Sequence, residues 1–312
     1  MRKLYVRLSI VIALLFSLFV NELYAKKKVK TATIPFQYSQ SLIFVRVKVN
    51  NKSGLLFLLN TGANTSVIDK SIAEKLKLSI LDHDTVLGTA GKEPVQTLKI
   101  KTLQVGDETI KDLIISKRDL SGFVKVNNYK IDGILGTDFL KNFAITIDFG
   151  DRRIFLSRKA MKPGRQMYIP FEMDDNIPRF EARLNDTLST YLRYNSGVSL
   201  NPNKDVYVNV SPSQWYQLKM ANRQLNPVRY MTGTGVGGNV YLQVVSIDKL
   251  AFNGMEIKSP FIIVQPREGY FEKDEAIGFF GNNLLEKYYK VTIDFLNNRI
   301  VFNNVKKKEL TP

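Results

Sequence analysis

The sequence predicts a mostly β-sheet protein with a few short helices, built from two similar lobes that lie side by side. Two observations support this prediction. Among the 312 residues, many short segments alternate between polar and apolar residues or form brief apolar runs, as strands do, and few have helical spacing. The same order of segments also occurs twice, which indicates two copies of one structural unit. We expect lobes at 31–158 and 165–304, joined through the charged, Pro- and Gly-containing stretch 157–167.

The repeat is defined by motifs that recur in order and at nearly constant spacing. Three pairs carry it: "IPF" at 34 and 169, "NTG" at 60 with "NSG" at 195, and "ILGTDFL" at 134 with "FFGNNLL" at 279. The offsets are 135, 135 and 145 residues. The second copy is therefore about ten residues longer, and we place the extra residues around "SPSQWYQLKMANRQLNP".

Each copy is predicted to contain the same series of elements. In the first copy "IFVRVKV" alternates with a period of two, "NNKSG" is a turn, and "LLFLL" is a buried strand that ends at Asn60. "DKSIAEKLKL" then has helical spacing, and the glycine turn "GTAG" follows. After several strands rich in Val, Ile and Leu, "TDFLKNF" is a short helix and "AITIDFGDRRIFL" a closing hairpin. The whole predicts two small β-barrels.

The first 25 residues have the layout of a secretory signal peptide. A basic start from Arg2 to Arg7 precedes an uncharged apolar run from Leu8 to Val20, and Ala25 is a suitable cleavage point. A bilayer span needs about 20 residues, so the run of 13 favours cleavage over the alternative, an uncleaved anchor helix. We expect an exported protein, periplasmic, on the outer surface or secreted, with no transmembrane anchor after cleavage.

The amino-acid composition further restricts the class of protein. The chain has no cysteine, so it is neither disulfide-stapled nor lipid-anchored through cysteine, and its stability must come from a hydrophobic core. Its net charge is +16, or +14 without the first 25 residues, and seven of the positive charges lie in "KKKVK" at 26–30 and in "KKK" at 306–308, within the basic tail 305–312. Basic and aromatic residues do not alternate on one face, so nucleic-acid binding is not expected.

The pattern "LLFLLNTGANTSVID … DGILGTDFL", with its second copy in order, resembles the retropepsin-like aspartic proteases, in the duplicated form of exported bacterial proteins. The resemblance covers about 31–304. It implies two tandem acid-protease barrels related by a pseudo-twofold axis, with a cleft between them. In that family each lobe supplies one aspartate, and the two carboxylates share a proton, because like charges at close range do not both ionise. One then activates water as a general base while the other donates a proton to the scissile carbonyl.

In this sequence the two aspartate positions are Asn60 and Asn195. The resemblance implies that the neighbouring hydroxyls, Thr61 and Ser196, hydrogen-bond across the interface and lock the two loops. Facing amides can preserve that geometry without the cost of burying charge, but an amide has no proton to lose near neutral pH. We therefore expect a catalytically impaired protein, and whether it is an enzyme stays open at this stage.

No nearby residue is expected to replace the missing acids. Asp69 and Asp138 are interpreted as helix caps, and Asp148 and Asp294 as structural residues in matching "TIDF" strands. His83 in "LDHD" is the only histidine and is interpreted as part of a solvated loop. One histidine without cysteine does not make a zinc site, so we expect no metal and no cofactor.

A binding cleft is expected to remain. We call "NTG" at 60–62 the first corner and "NSG" at 195–197 the second corner. The resemblance implies that glycine-rich turns form two flaps over an extended peptide. It also implies that the glycine of each corner presents its backbone to the peptide, and that an asparagine near the first corner binds the peptide backbone. These candidate binding residues are Gly62, Asn64, Gly197, Gly88, Gly91, Gly233, Gly235 and Gly237. The alternative is that the glycines of "GTAG" only form a hairpin turn.

Three hypotheses for the function remain. The first is a pseudoprotease that binds an extended peptide or protein segment without cutting it. The second is an active endopeptidase whose dyad at positions 60 and 195 is aspartate in a parent sequence or is regained by deamidation. The third is a structural or surface-interaction module with a vestigial cleft. Two lobes in one chain already form an internal pseudo-dimer, so we expect a monomer.

Overall fold

The computed structural model describes residues 33–123, 130–162, 164–199 and 205–303. The predicted signal peptide and the basic tail 305–312 lie outside the described residues. From Thr33 onward, the described residues belong to one compact unit. Within the described ranges no helix is long and apolar enough to cross a bilayer.

The first lobe is built mainly of strands, with short helices between them. The strands are β1 (Thr33–Ser39), β2 (Leu42–Val49), β3 (Lys52–Leu59), β4 (Val67–Asp69), β5 (Ile80–Gly88), β6 (Gly91–Val105), β7 (Glu108–Arg118), β8 (Gly133–Leu135), β9 (Ala144–Asp148) and β10 (Arg153–Ser157). The helices are α1 (Lys70–Lys75) and α2 (Thr137–Leu140).

The second lobe repeats this layout. Its strands are β11 (Met167–Pro170), β12 (Glu172–Asp174), β13 (Ile177–Leu184), β14 (Leu188–Tyr194), β15 (Tyr207–Val210), β16 (Pro227–Gly235), β17 (Gly238–Ser246), β18 (Lys249–Phe252), β19 (Met255–Lys258), β20 (Phe261–Val264), β21 (Gly278–Phe280), β22 (Lys290–Asp294) and β23 (Arg299–Asn303). Its helices are α3 (Pro212–Ala221) and α4 (Asn282–Leu285), with 3-10 turns at Gly269–Glu272 and Glu286–Tyr288.

The two lobes have the same strand order. In the first lobe the order is β2-β3-β8-β4-β7-β6-β5, and in the second it is β13-β14-β21-β15-β20-β17-β16. The parallel pairs β3–β8 and β4–β7 correspond to the parallel pairs β14–β21 and β15–β20. The predicted mostly-β, two-lobe fold is confirmed, whereas the exact lobe boundaries stay a prediction.

A six-stranded sheet, β1-β10-β9-β22-β23-β11, is shared by the two lobes. At its centre β9 pairs antiparallel with β22, and Thr146 lies opposite Thr292 with their hydroxyl oxygens 2.8 Å apart. Asp148 pairs with Lys290 on one side of this point, and Ala144 pairs with Asp294 on the other. In the repeat, Asp148 corresponds to Asp294 and Ala144 corresponds to Lys290, so the two pairs are related by a half-turn about the threonine pair. The pseudo-twofold axis therefore passes between the two threonines.

The apolar run in β3 is explained by burial on both faces. Leu55, Phe57 and Leu59 face the main core, which contains residues of both lobes. Leu56 and Leu58 face a second cluster that also contains Val67 and Ile134. Since successive side chains of a strand point to opposite faces, a strand between two cores must be apolar throughout.

Two sequence predictions are corrected by the structure. The extra residues of the second copy only partly lie where we placed them: α3 is four residues longer than α1, and the rest of the insertion falls between Asn195 and β15. A capping box between Ser211 and Gln214 begins this longer helix.

His83 lies in β5 and not in a loop, because the "LDHD" segment pairs with β6 as an exposed strand.

The ion pair between Asp148 and Lys290 links the two lobes at 2.6 Å. Burial raises the pKa of the Asp148 carboxyl, but the N–H of Asp151, the Lys290 ammonium and the N–H of Gly150 outweigh it and hold this pKa below its ordinary value. A lowered pKa in the folded state stabilises the fold above the unfolded pKa, and this stabilisation is lost as the pH falls through the folded pKa.

We therefore expect Asp148→Asn to lower the free energy of unfolding by about 1 kcal/mol at pH 7. The difference from the unmodified protein should shrink below about pH 4, where the unfolded chain also takes up protons. Urea unfolding across pH measures it. Asp274→Asn is the matched control, because Asp274 forms an exposed pair with Arg267 and should change stability little at any pH. Equal effects of the two substitutions would contradict the prediction.

Candidate functional site

Each asparagine corner follows the end of a central strand and is held by the neighbouring parallel strand. The Asn60 N–H donates to the Leu135 carbonyl of β8, and the Asn195 N–H donates to the Phe280 carbonyl of β21, both at 2.9 Å. The two-part motif recognised in the sequence, the corner and the later apolar-apolar-Gly segment, is therefore one structural unit in each lobe.

The two asparagine side chains face the opposite corner. A Cβ atom added to Gly62 would lie 2.2 Å from Cγ of Asn195, and one added to Gly197 would lie 2.4 Å from Cγ of Asn60. Only glycine leaves room for this approach. The structure thus brings the two predicted dyad positions together where the lobes meet, with both asparagines only partly buried.

The orientation of each amide follows from its contacts. The Gly62 N–H donates to Oδ1 of Asn60 at 2.8 Å, and the Gly197 N–H donates to Oδ1 of Asn195 at 3.0 Å. Both side-chain oxygens are therefore occupied by backbone donors of their own corner. The two Nδ2 groups have no hydrogen-bond partner within the part of the chain that the structure describes, so they are available as donors to a ligand.

Below the amides the two corners are interlocked by four hydrogen bonds. The Thr61 N–H donates to Ser196 Oγ at 2.9 Å, and the Ser196 N–H donates to Thr61 Oγ1 at 3.0 Å. The Thr61 hydroxyl donates to the Tyr194 carbonyl at 2.8 Å, and the Ser196 hydroxyl donates to the Leu59 carbonyl at 2.9 Å. Both hydroxyl residues are completely buried. This is the crossing arrangement that the sequence resemblance implied for Thr61 and Ser196.

Asn282, which supports the second corner, was not predicted from the sequence. The Tyr194 hydroxyl donates to Oδ1 of Asn282 at 2.6 Å, and Nδ2 of Asn282 donates to the carbonyls of Ser196 and, in the first lobe, Ser41. Burial raises the pKa of Tyr194, so its hydroxyl stays protonated and acts as a donor here. The signal was present in the repeat, because "FFGNNLL" places Asn282 where "ILGTDFL" has Thr137.

The acids considered from the sequence do not reach the corners. Asp69 is the N-cap of α1, as predicted, and accepts the Ser71 N–H. Asp138 is not a cap, since Gly136 is the N-cap of α2; its carboxylate instead accepts the N–H and the hydroxyl of Ser66. Burial raises the pKa of Asp138 against the opposing effect of these hydrogen bonds. Among the residues with described positions, no carboxylate hydrogen-bonds to either corner asparagine.

The glycine-rich turns form two hairpins whose tips meet. We call β5–β6, with its tip at 88–91, the first flap, and β16–β17, with its tip at 235–238, the second flap. The Ala90 N–H donates to the Val236 carbonyl at 3.0 Å, and a Cβ atom on Gly88 would lie 2.1 Å from Cβ of Val236. The glycines therefore allow close contact between the tips as well as the turns themselves.

Two of the remaining predicted glycines, Gly235 and Gly237, also lie in the contact between the flap tips. A Cβ on Gly235 would lie 2.0 Å from Thr89 Oγ1, and one on Gly237 would lie 2.4 Å from the Gly91 nitrogen. Gly233 lies inside β16, where a Cβ would approach Leu242 to 2.6 Å. Whether these residues contact a bound peptide stays a prediction.

Asn64 is placed differently from the other candidates. It is exposed, and its amide donates at 3.2 Å to Asp175, in the turn between β12 and β13.

A surface depression of about 400 Å³, lined among others by Asp186, Lys249 and Glu256, shares no residue with the corners or the flaps. The corners and flaps therefore define the candidate site.

The interlock allows a stability test. Ser196→Ala should lower the free energy of unfolding by about 2–3 kcal/mol, because the buried Thr61 N–H and Leu59 carbonyl lose their partners. Ser196→Thr is the control, since it keeps the hydroxyl and reproduces the residue of the first corner; it should cost less than about 1 kcal/mol. Chemical denaturation measures both variants, and equal stability of the two would contradict the interlock.

Comparisons with known proteins concern the family and the fold. Residues 45–139 match the sequence model of the aspartyl protease family, and no curated protein sequence matches the chain. Among solved structures, the aspartic proteinase from Irpex lacteus matches with a TM-score of 0.54 at 13% identity, over 90% of this chain and 100% of that one. At this identity the similarity concerns the fold alone. The chain is thus similar to the retropepsin-like aspartyl proteases over residues 45–139, and its fold is that of an aspartic proteinase.

Proposed function

We propose that this protein is a pseudoprotease that binds an extended peptide, or an extended segment of a partner protein, in the groove between its lobes without cleaving it. One observation carries the proposal. The two positions that face each other at the lobe interface hold amides, and the oxygen of each amide already accepts a backbone N–H.

The chemistry of the pair favours binding over hydrolysis. Hydrolysis by this fold needs a carboxylate that removes a proton from water, and neither asparagine can do so near neutral pH. The two free Nδ2 groups can instead donate hydrogen bonds to a peptide carbonyl. A pair of donors stabilises a bound carbonyl but does not activate a nucleophile.

The surroundings of the corners support a retained groove rather than a vestigial one. The four buried hydrogen bonds hold the two amides in fixed positions, and the flap tips meet through a backbone hydrogen bond. Such features would be unnecessary in a module that only presents an outer surface. The apolar run from Leu8 to Val20 supports the further proposal that the protein acts after export. The sheet shared by the two lobes supports the proposal that it acts as a monomer.

Deamidation does not offer an easy route to an active dyad. It requires the backbone nitrogen of the next residue to attack the asparagine Cγ. At both corners that nitrogen belongs to Thr61 or Ser196 and is held in a buried hydrogen bond to the other corner. The corners are thus protected by the interlock that positions them.

A first test is digestion of a mixed peptide library. The unmodified protein should cleave nothing between about pH 3 and pH 8, a range that brackets carboxylate titration. The double variant Asn60→Asp/Asn195→Asp should gain peptidase activity with an acidic optimum, because two facing carboxylates can share one proton. Mass spectrometry of the digests measures both.

The single variant Asn60→Asp is the control and should remain much less active than the double variant. Cleavage by the unmodified protein that is blocked by a pepstatin-type inhibitor would overturn the proposal and favour an active endopeptidase.

A second test follows the asparagines over time at neutral pH. Asn253 precedes Gly254 in the exposed turn between β18 and β19, where the backbone is free to adopt the reactive geometry. We expect Asn253 to gain one mass unit well before Asn60 or Asn195 during incubation, as measured by peptide mapping. Faster conversion at the corners would restore the second hypothesis.

A further inference from the structure

The inner face of the second flap carries an arginine. In the β16–β17 hairpin Arg229 lies opposite Val244, and Gly233 lies opposite Val240. Directly opposed residues of two strands point to the same face. Val240 and Val244 are buried in a cluster with Tyr207, Leu242 and Ile263, which we call the second-lobe cluster. Arg229 therefore lies on the side of the flap that faces this cluster, and not on the outer side.

The second-lobe cluster borders the groove. Ala90, at the tip of the first flap, packs against it, and so does Val198, three residues after Asn195. A surface in contact with both the opposite flap tip and the corner lies between the flaps and the asparagine pair. Arg229 is six residues from the tip of its own flap, at the outer end of this surface.

Aromatic rings hold the Arg229 side chain. Its guanidinium carbon lies 5.5 Å from the ring centre of Tyr207 and 5.8 Å from that of Phe261, and the two rings are stacked at 5.3 Å. Nη2 of Arg229 donates to the Tyr207 hydroxyl at 2.5 Å, and that hydroxyl donates to Asp205 at 3.3 Å. The guanidinium is thus oriented before any ligand binds, which reduces the entropy cost of binding one.

Arg229 keeps an unpaired charge. The residue is exposed, and the arginine ion pairs found in the described ranges do not include it. Asp205 is connected to it only through the Tyr207 hydroxyl. The guanidinium retains donors for an incoming carboxylate, which it can bind in a bidentate manner.

The two halves of the groove differ in charge. Residues 206–247 contain Lys219, Arg223 and Arg229 but no aspartate or glutamate. In the first flap, by contrast, Glu93 already binds Arg118 through both of its carboxylate oxygens. A negative group on a ligand would therefore meet an unpaired arginine in the second-lobe half, whereas the arginine beside the first flap is already paired.

We propose that the groove selects peptides with a carboxylate, from an Asp or Glu side chain or from the chain end, beside an apolar side chain. The carboxylate binds Arg229, and the apolar side chain covers the second-lobe cluster. This inference rests on the proposed peptide binding and adds the class of ligand.

The test uses the unmodified full-length protein and a random peptide pool. Peptides retained by the protein should be enriched in acidic residues or in a terminal carboxylate next to an apolar residue. Each selected peptide is then made with its Asp or Glu changed to Asn or Gln, or with an amidated end. Loss of the carboxylate should weaken binding about tenfold, the effect of about 1.4 kcal/mol from one charged hydrogen-bonded pair.

Arg229→Gln should abolish this tenfold preference, so that each carboxylate peptide and its amide counterpart bind equally. Arg223→Gln removes the same charge from an exposed residue outside the flap and should keep the preference, which excludes a general charge effect. Arg229→Lys, which keeps the charge but not the planar fork, should retain part of it. Circular dichroism verifies that each variant is folded.

The possible failures are distinguishable. If the protein retains no peptide at all, the proposed function fails and this inference fails with it. If peptides are retained without acidic enrichment, or if Arg229→Gln keeps the preference, the groove binds peptides but Arg229 does not select them, and only this inference is overturned.

Discussion

The reciprocal hydrogen bonds between Thr61 and Ser196 are the constraint on which the rest of the groove depends. They are completely buried, and each hydroxyl serves at once as an acceptor from the opposite backbone and as a donor to it. An error of register in either corner would leave several buried polar groups unpaired, at a cost of about 1–3 kcal/mol for each. These hydrogen bonds therefore fix the position of Asn60 relative to Asn195, and with it the position of the two walls of the groove.

The two copies differ in the strand before each corner and in their flaps. In the first lobe the strand before the corner is apolar on both faces, whereas in β14 Arg193 pairs with Asp174 and packs over Tyr270. The flaps differ in the same way, since one carries a closed ion pair and the other an open guanidinium. Because the two lobes present different residues, the groove is not symmetric. An asymmetric groove can distinguish a peptide bound in one chain direction from the same peptide bound in the reverse direction, whereas a symmetric groove cannot.

The repeat made the fold readable from the sequence. It fixed which segments correspond, and the strand order of the second lobe then followed from that of the first. The juxtaposition of Asn60 and Asn195 was an implication of the family resemblance, and the repeat supplied only the correspondence between the two positions.

What the sequence did not reveal depends on contacts between distant segments. Tyr194 and Asn282 are 88 residues apart. The repeat aligns Asn282 with Thr137, but it does not indicate that Asn282 and Tyr194 are hydrogen-bonded. Arg229 was missed because its role comes from two rings that the fold brings beneath it. "LDHD" was misread as a loop because exposed flap strands lack the apolar side that normally identifies a strand.

The pairing of Thr146 with Thr292 has a consequence for how such a chain could arise. Cutting between the lobes would leave β9 with an unpaired edge at the centre of the former sheet, and open edges recruit further strands. Since the register about this threonine is self-complementary, the first half offers the same edge to another molecule of itself. The fused chain therefore carries its own partner and folds independently of concentration, whereas either half alone would depend on meeting a second one.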